Sequence, residues 1–179
     1  MTPVVVLVGP PGSGKTSVGG ALARITGRQL RDTDADIVAR AGRSISDIFV
    51  NDGEPVFRAM EREAVATALV EHDGVLALGG GSILAEQTRA VLAAHTVVFL
   101  SLTMPTGVRR TGLASNRPLL VGVNPRATYK AMLAARLPMY EEVATLVVQT
   151  DDLSVNEVAT VIVAELGLDK SGPEELDLQ

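Results

Sequence analysis

Near the start of the chain, Gly9-Pro10-Pro11-Gly12-Ser13-Gly14-Lys15-Thr16 fits the pattern G-x-x-x-x-G-K-[ST]. Glycines let the backbone curl so that successive N–H groups face inward, where they can meet phosphate oxygens, and a following helix adds partial positive charge. Lys15 would reach the β- and γ-phosphates of a nucleotide, and Thr16 would offer its hydroxyl to magnesium. The context agrees, because an apolar run precedes the match and a helical pattern follows it. Gly12, Ser13, Gly14, Lys15, Thr16 and Ser17 are therefore the candidate nucleotide-binding residues, with ATP and Mg²⁺ as the ligands such a loop implies. The loop specifies a donor and leaves the acceptor to other segments.

Asp32-Thr33-Asp34 closes a short segment with strand character. On an extended chain two aspartates two residues apart face the same side, so one would orient magnesium through water while the other meets an acceptor hydroxyl. The competing use of Asp34 is to cap a helix beginning near Ala35. Gly79-Gly80-Gly81 follows another apolar run. Three successive glycines pack no side chain, and their use would be close approach of a ligand to backbone N–H groups. Arg58 stands three residues before Glu61, so on a helix the carboxylate can fix the guanidinium. Arg117 lies in the proline- and glycine-bearing segment 116–126, and Arg136 near the end of the helix after it. Guanidinium forks match carboxylate and phosphate geometry.

These residues need a frame that brings distant segments to one edge. Apolar runs rich in β-branched residues at 4–8, 75–78, 97–102 and 146–149, with a weaker one at 29–32, predict five buried strands. Val18, Ala21, Leu22 and Ile25 share a helical face that Gly27 ends; Phe57, Glu61, Ala64, Val65, Ala68 and Leu69 form another, with a carboxylate on it. Ser154 and Glu157 make a capping box for a last helix whose stripe is Val155, Val158, Ala159, Ile162 and Leu166, with Gly167 beyond. Continuous strands between helices predict a doubly wound α/β domain with a parallel sheet covered on both faces. Ligands in such sheets sit at the carboxyl ends of the strands.

The phosphate loop, Asp32-Thr33-Asp34, Phe57-Arg58 with Glu61, Gly79-Gly80-Gly81, Asn116-Arg117-Pro118-Leu119-Leu120, and Arg136 ahead of Pro138 and Tyr140 occur in an order that resembles the shikimate kinase family. The resemblance runs from about 4 to 166. It implies a P-loop kinase-like three-layer α/β/α fold over residues 1–168, with a five-stranded parallel sheet in the order 2-3-1-4-5 and a mobile lid at about 112–124. It implies transfer of the ATP γ-phosphoryl group to the 3-hydroxyl of shikimate, giving shikimate 3-phosphate and ADP. By the family pattern Arg58, Arg136 and the backbone of Gly80, with Gly79 and Gly81 beside it, hold the shikimate carboxylate. Asp34 binds hydroxyls and acts as base, and Arg117 approaches the transferring phosphate, which makes Lys15, Asp34 and Arg117 the catalytic set. Ala77 stands where some members carry a hydroxyl residue near the magnesium waters, leaving metal positioning to Thr16 and, through water, Asp32. Thr150-Asp151-Asp152-Leu153-Ser154-Val155 replaces the basic residue and proline that members often carry near adenine, so Arg110 is left to stack on the base. Family members are generally monomeric.

Among enzymes, a gluconate kinase or a nucleoside monophosphate kinase would share the phosphate loop; a nucleotide-binding regulator is the reading outside that class. Composition excludes more than it selects. The 179 residues include no cysteine, which removes disulfides, thiolate nucleophiles and Cys-based zinc sites. A net charge of -5 disfavours nucleic acid as a partner. No apolar run approaches the length of a membrane span and no basic leader precedes the first one, so a cytoplasmic location is expected. The acidic segment 169–179 lacks periodicity and is expected to be a disordered tail.

Overall fold

In a computed structural model, residues 2–112 and 124–168 are described. Five strands, β1 (Val5–Val8), β2 (Leu30–Asp32), β3 (Val75–Ala77), β4 (Val97–Ser101) and β5 (Leu146–Gln149), form one parallel sheet in the order β2-β3-β1-β4-β5. The expected order holds, with strand ends within a residue of those read from the sequence. The helices are α1 (Lys15–Thr26), α2 (Thr33–Ala41), α3 (Ile45–Asp52), α4 (Glu54–Glu71), α5 (Glu86–Leu92), α6 (Met104–Thr111), α7 (Pro125–Val143) and α8 (Val155–Leu166), with a 3₁₀ turn at Ser82–Leu84. The lid expected at about 112–124, Arg117 within it, and the expected tail at 169–179 lie almost wholly outside the described residues.

Alternation along β1 divides the core. Val5 and Leu7 face a cluster with Val18, Ala21 and Leu22 of α1 and Val158, Ala159 and Ile162 of α8. Val6 and Val8 face Val65, Ala68 and Leu69 of α4, Leu92 of α5, and Tyr140 and Val143 of α7. Both faces of β1 are therefore apolar, which is why it reads as an unbroken run. Full burial of each such side chain contributes about 2 kcal/mol. A third, smaller cluster of Ile37, Ile48 and Phe57 joins α2, α3 and α4, with the rings of Phe49 and Phe57 4.7 Å apart.

The edge strand β2 packs α2 against its own end. Asp32 ends the strand and caps the helix, its Oδ1 accepting from the Asp34 N–H at 2.9 Å. The helix thus starts at Thr33 rather than near Ala35, and the extended geometry expected for Asp32-Thr33-Asp34 is absent. Capping falls to Asp32, because the chain turns helical with no intervening loop, and Asp34 lies in the first helical turn.

Candidate active site

At the carboxyl ends of β1 and β3 the chain builds a polar cavity of about 290 Å³. It is lined by the phosphate loop with Asp32, Asp34, Leu78, Gly80 and Arg110. Gly12 and Gly14 take φ of 83° and 88°, a left-handed region that residues with a Cβ rarely enter. Gly14 begins α1 without any side-chain cap, and the first turn carries no acidic residue. Its N–H groups are thereby left for an anion. Lys15 folds over the loop, its Nζ donating to the carbonyls of Gly9 at 2.8 Å and Pro10 at 3.2 Å. Ser13 is buried and Ser17, a turn into α1, reaches the cavity.

Thr16 donates from Oγ1 to Asp32 Oδ2 at 2.7 Å. One carboxylate thus serves both ends of a chain of contacts, Thr16 on Oδ2 and the Asp34 N–H on Oδ1. Hydroxyl and carboxylate oxygens are the donors a hard cation such as Mg²⁺ takes. Among the described residues no group of three or more His, Cys, Asp or Glu side chains could hold a metal alone. Ala77 is buried in β3 and offers no oxygen.

The glycine triplet differs from expectation in an instructive way. The Gly79 N–H is already engaged, donating to Thr33 Oγ1 at 3.1 Å. The missing side chains also admit protein. A Cβ on Gly79 would lie 2.5 Å from Asp34 Oδ1 and 2.8 Å from Glu61 Oε1, and one on Gly81 would strike the Arg58 guanidinium. Gly80 packs on the phosphate loop, where an added Cβ would lie 3.3 Å from Pro11 Cδ. Each of the three glycines thus faces a different close neighbour.

Around the triplet a charged network closes. Glu61 is buried on α4, pairing with Arg58 Nη1 at 2.7 Å and accepting from Ser82 Oγ at 3.1 Å. Glu54 takes the other side of the Arg58 guanidinium at 3.2–3.3 Å. This is the i, i+3 pair the sequence led us to expect, with an i, i+4 pair added. Arg136 is buried on α7 and donates to the Gly80 carbonyl at 3.3 Å; the Tyr140 hydroxyl donates to the same oxygen. Burial pushes the Tyr140 phenol up to about 12, outweighing the opposing pull of the Arg136 cation. Asp34, Arg58, Gly79, Gly80, Gly81 and Arg136 are thus drawn into one neighbourhood beside the phosphate loop.

Arg110 lines the same cavity as the phosphate loop. Its guanidinium donates to the Gly12 carbonyl at 3.3 Å and to Thr150 Oγ1 and O at 3.1 and 2.9 Å. Those bonds hold the back of the loop. The departure at 150–155 also has a structural use: Asp151 accepts from the Thr103 N–H at 3.0 Å and from its hydroxyl, at the start of α6. The sequence alone gives no structural role to Thr33, Ser82, Asp151 or Tyr129, whose hydroxyl donates to the Pro11 carbonyl at 2.8 Å.

Comparison with known proteins gives the family of the chain. A family model described as shikimate kinase matches residues 11–167. The shikimate kinase of Saccharopolyspora erythraea is 57% identical over 98% of this chain and 100% of that protein. That of Salinispora arenicola is 58% identical over 93% of this chain and 99% of its own. Among solved structures, the shikimate kinase of Acinetobacter baumannii in complex with shikimate superposes with a TM-score of 0.88 at 34% identity, covering 93% of this chain and 94% of that one.

Proposed function

Because the chain belongs to the shikimate kinase family, we propose that it performs the family's reaction with the residues assembled at the carboxyl ends of β1 and β3. The chain is an ATP-dependent phosphotransferase: the γ-phosphoryl group of ATP passes to the 3-hydroxyl of shikimate, giving shikimate 3-phosphate and ADP. The observation that carries the residue roles is the single cavity onto which Lys15, Thr16, Asp32, Asp34 and Gly80 all open.

In this reading the donor lies along the phosphate loop, with the α1 N-terminus and Lys15 neutralising the phosphates and Gly12, Ser13, Gly14, Thr16 and Ser17 around them. Arg58 and Arg136 grip the shikimate carboxylate beside Gly80. The acceptor oxygen forms its bond to the γ-phosphorus as the bond to the bridging oxygen of ADP breaks, and the hydroxyl proton passes to the Asp34 carboxylate. Thr16 and, through water, Asp32 would hold Mg²⁺, which when bound neutralises charge on the β- and γ-phosphates. Arg117, outside the described residues, keeps by family pattern its role toward the transferring phosphate. By family pattern the working unit is a monomer, and no described helix is long and apolar enough to cross a membrane. We take the compartment to be the cytoplasm.

ADP release measured with Mg²⁺, ATP and shikimate tests the reading. A shikimate-dependent rate well above the ATP-only background is expected; equal rates would overturn it. Gluconate in place of shikimate should give no such increase.

A further inference from the structure

The chain has two tyrosines, and both lie buried on α7. Eleven residues separate Tyr129 from Tyr140, which on a helix is three turns, about 20° of rotation and about 16 Å along the axis. They share a face with Arg136, and each hydroxyl ends on a backbone carbonyl. Tyr129 donates to Pro11 in the phosphate loop and Tyr140 to Gly80 in the glycine triplet.

We propose that α7 aligns the two halves of the site through these hydroxyls, Tyr129 fixing the donor loop and Tyr140 the acceptor loop, so that both are positioning residues. The inference rests on the kinase reading above and adds to it how the two loops are held.

A trans peptide is planar, with its C=O and N–H pointing opposite ways. Anchoring the Pro11 carbonyl on Tyr129 therefore aims the Gly12 N–H away from α7, and anchoring the Gly80 carbonyl on Tyr140 aims the Gly81 N–H likewise. Glycine flanks the Gly80–Gly81 peptide on both sides and the Pro11–Gly12 peptide on one, and without a Cβ it resists rotation little. Each ring is itself held. Tyr129 presses against Gly107 of α6, where any Cβ would collide with the phenol, and Tyr140 stacks on Phe99 with centroids 4.9 Å apart. Tyr140 keeps its proton throughout the neutral range, so it remains a donor.

Without the hydroxyl, the loop spends part of its time with the peptide turned, and apparent affinity falls in proportion to the competent fraction. The test is Tyr129→Phe and Tyr140→Phe, each measured by calorimetric titration with MgADP and by steady-state kinetics in both substrates. Tyr129→Phe is expected to weaken MgADP binding and raise KM for ATP about fivefold, with KM for shikimate unmoved. Tyr140→Phe is expected to raise KM for shikimate by a similar factor, with the MgADP affinity unmoved. Gly107→Ala, which displaces the Tyr129 ring, should reproduce the Tyr129→Phe pattern. A merely structural role would lower thermal stability in both variants and shift the two constants together or not at all, and either result would overturn the proposal. Wild-type protein that binds MgADP without phosphorylating shikimate would remove the kinase reading and leave the Tyr129 arm intact. Wild-type protein that fails to bind MgADP would remove both.

Discussion

The donor half of the site is built from neighbours and the acceptor half from strangers. Gly9 through Thr16 and the start of α1 make the phosphate cradle within one strand-to-helix turn, and its geometry follows from backbone conformation at Gly12 and Gly14. The acceptor half joins Asp34 of α2, Arg58 and Glu61 of α4, Gly79–Ser82 after β3, and Arg136 and Tyr140 of α7. A cradle of backbone N–H groups tolerates change in the side chains around it. A network of buried charges does not, since removing one partner leaves another desolvated and unpaired, at a cost of about 3–5 kcal/mol. Donor-side substitutions should therefore act locally, whereas acceptor-side ones should spread into stability.

The sharpest separation comes from Asp34→Asn. Losing the base should lower kcat by about 10³-fold, while MgADP affinity, set by the phosphate loop, stays near wild type. Turnover near wild type would exclude Asp34 as base, and a parallel loss of ADP binding would erase the distinction between the halves.

Gly79→Ala comes next. Its Cβ would press on both Asp34 Oδ1 and Glu61 Oε1. Overpacking of this kind costs about 1–3 kcal/mol, so the urea midpoint should fall and KM for shikimate should rise together. An unchanged midpoint would show that the carboxylates can move aside.

Glu61→Gln keeps an acceptor for Ser82 and removes the charge that fixes Arg58. KM for shikimate should increase roughly tenfold, equivalent to about 1.4 kcal/mol of lost orientation, with KM for ATP unaffected. A rise in both constants would mean that the network reaches the donor loop.

The smallest effect tests the donor side's remote support. Burial alone would raise the Asp151 carboxyl, but hydrogen bonds from Thr103, Thr106 and Gln149 prevail and hold it well below the usual carboxylate range. A depressed pKa contributes stability above the unfolded value of about 3.9, and that contribution fades as pH falls below about 4. Asp151→Asn should thus be slightly less stable than wild type at pH 7 in urea titrations, with the gap closing below pH 4. A gap independent of pH would show that packing, not charge, makes the difference.

The same contrast explains what could be read from the sequence. The phosphate loop was legible because everything it needs is adjacent in the chain. Strands β1, β3 and β4 were legible because both faces are buried and the runs are unbroken. The edge strand β2, with Arg31 and Asp32 in it, carried only a weak signal, and α3 has no long stripe. The choice between Asp32 and Asp34 as cap was hidden, because it depends on how abruptly the strand turns helical. Thr33 and Ser82 find their partners 46 and 21 residues away, a separation that local pattern cannot encode. Tyr129 left one overlooked clue: in a chain only 3% aromatic, both tyrosines fall on one helical face.

Phosphorus NMR of a reaction containing the protein, Mg²⁺, ATP and shikimate tests most directly that the two halves serve one transfer. ADP and a phosphomonoester on the 3-oxygen of shikimate should appear in equal amounts. ADP accompanied by inorganic phosphate alone would contradict the account, because it would show a working donor half with no acceptor half joined to it.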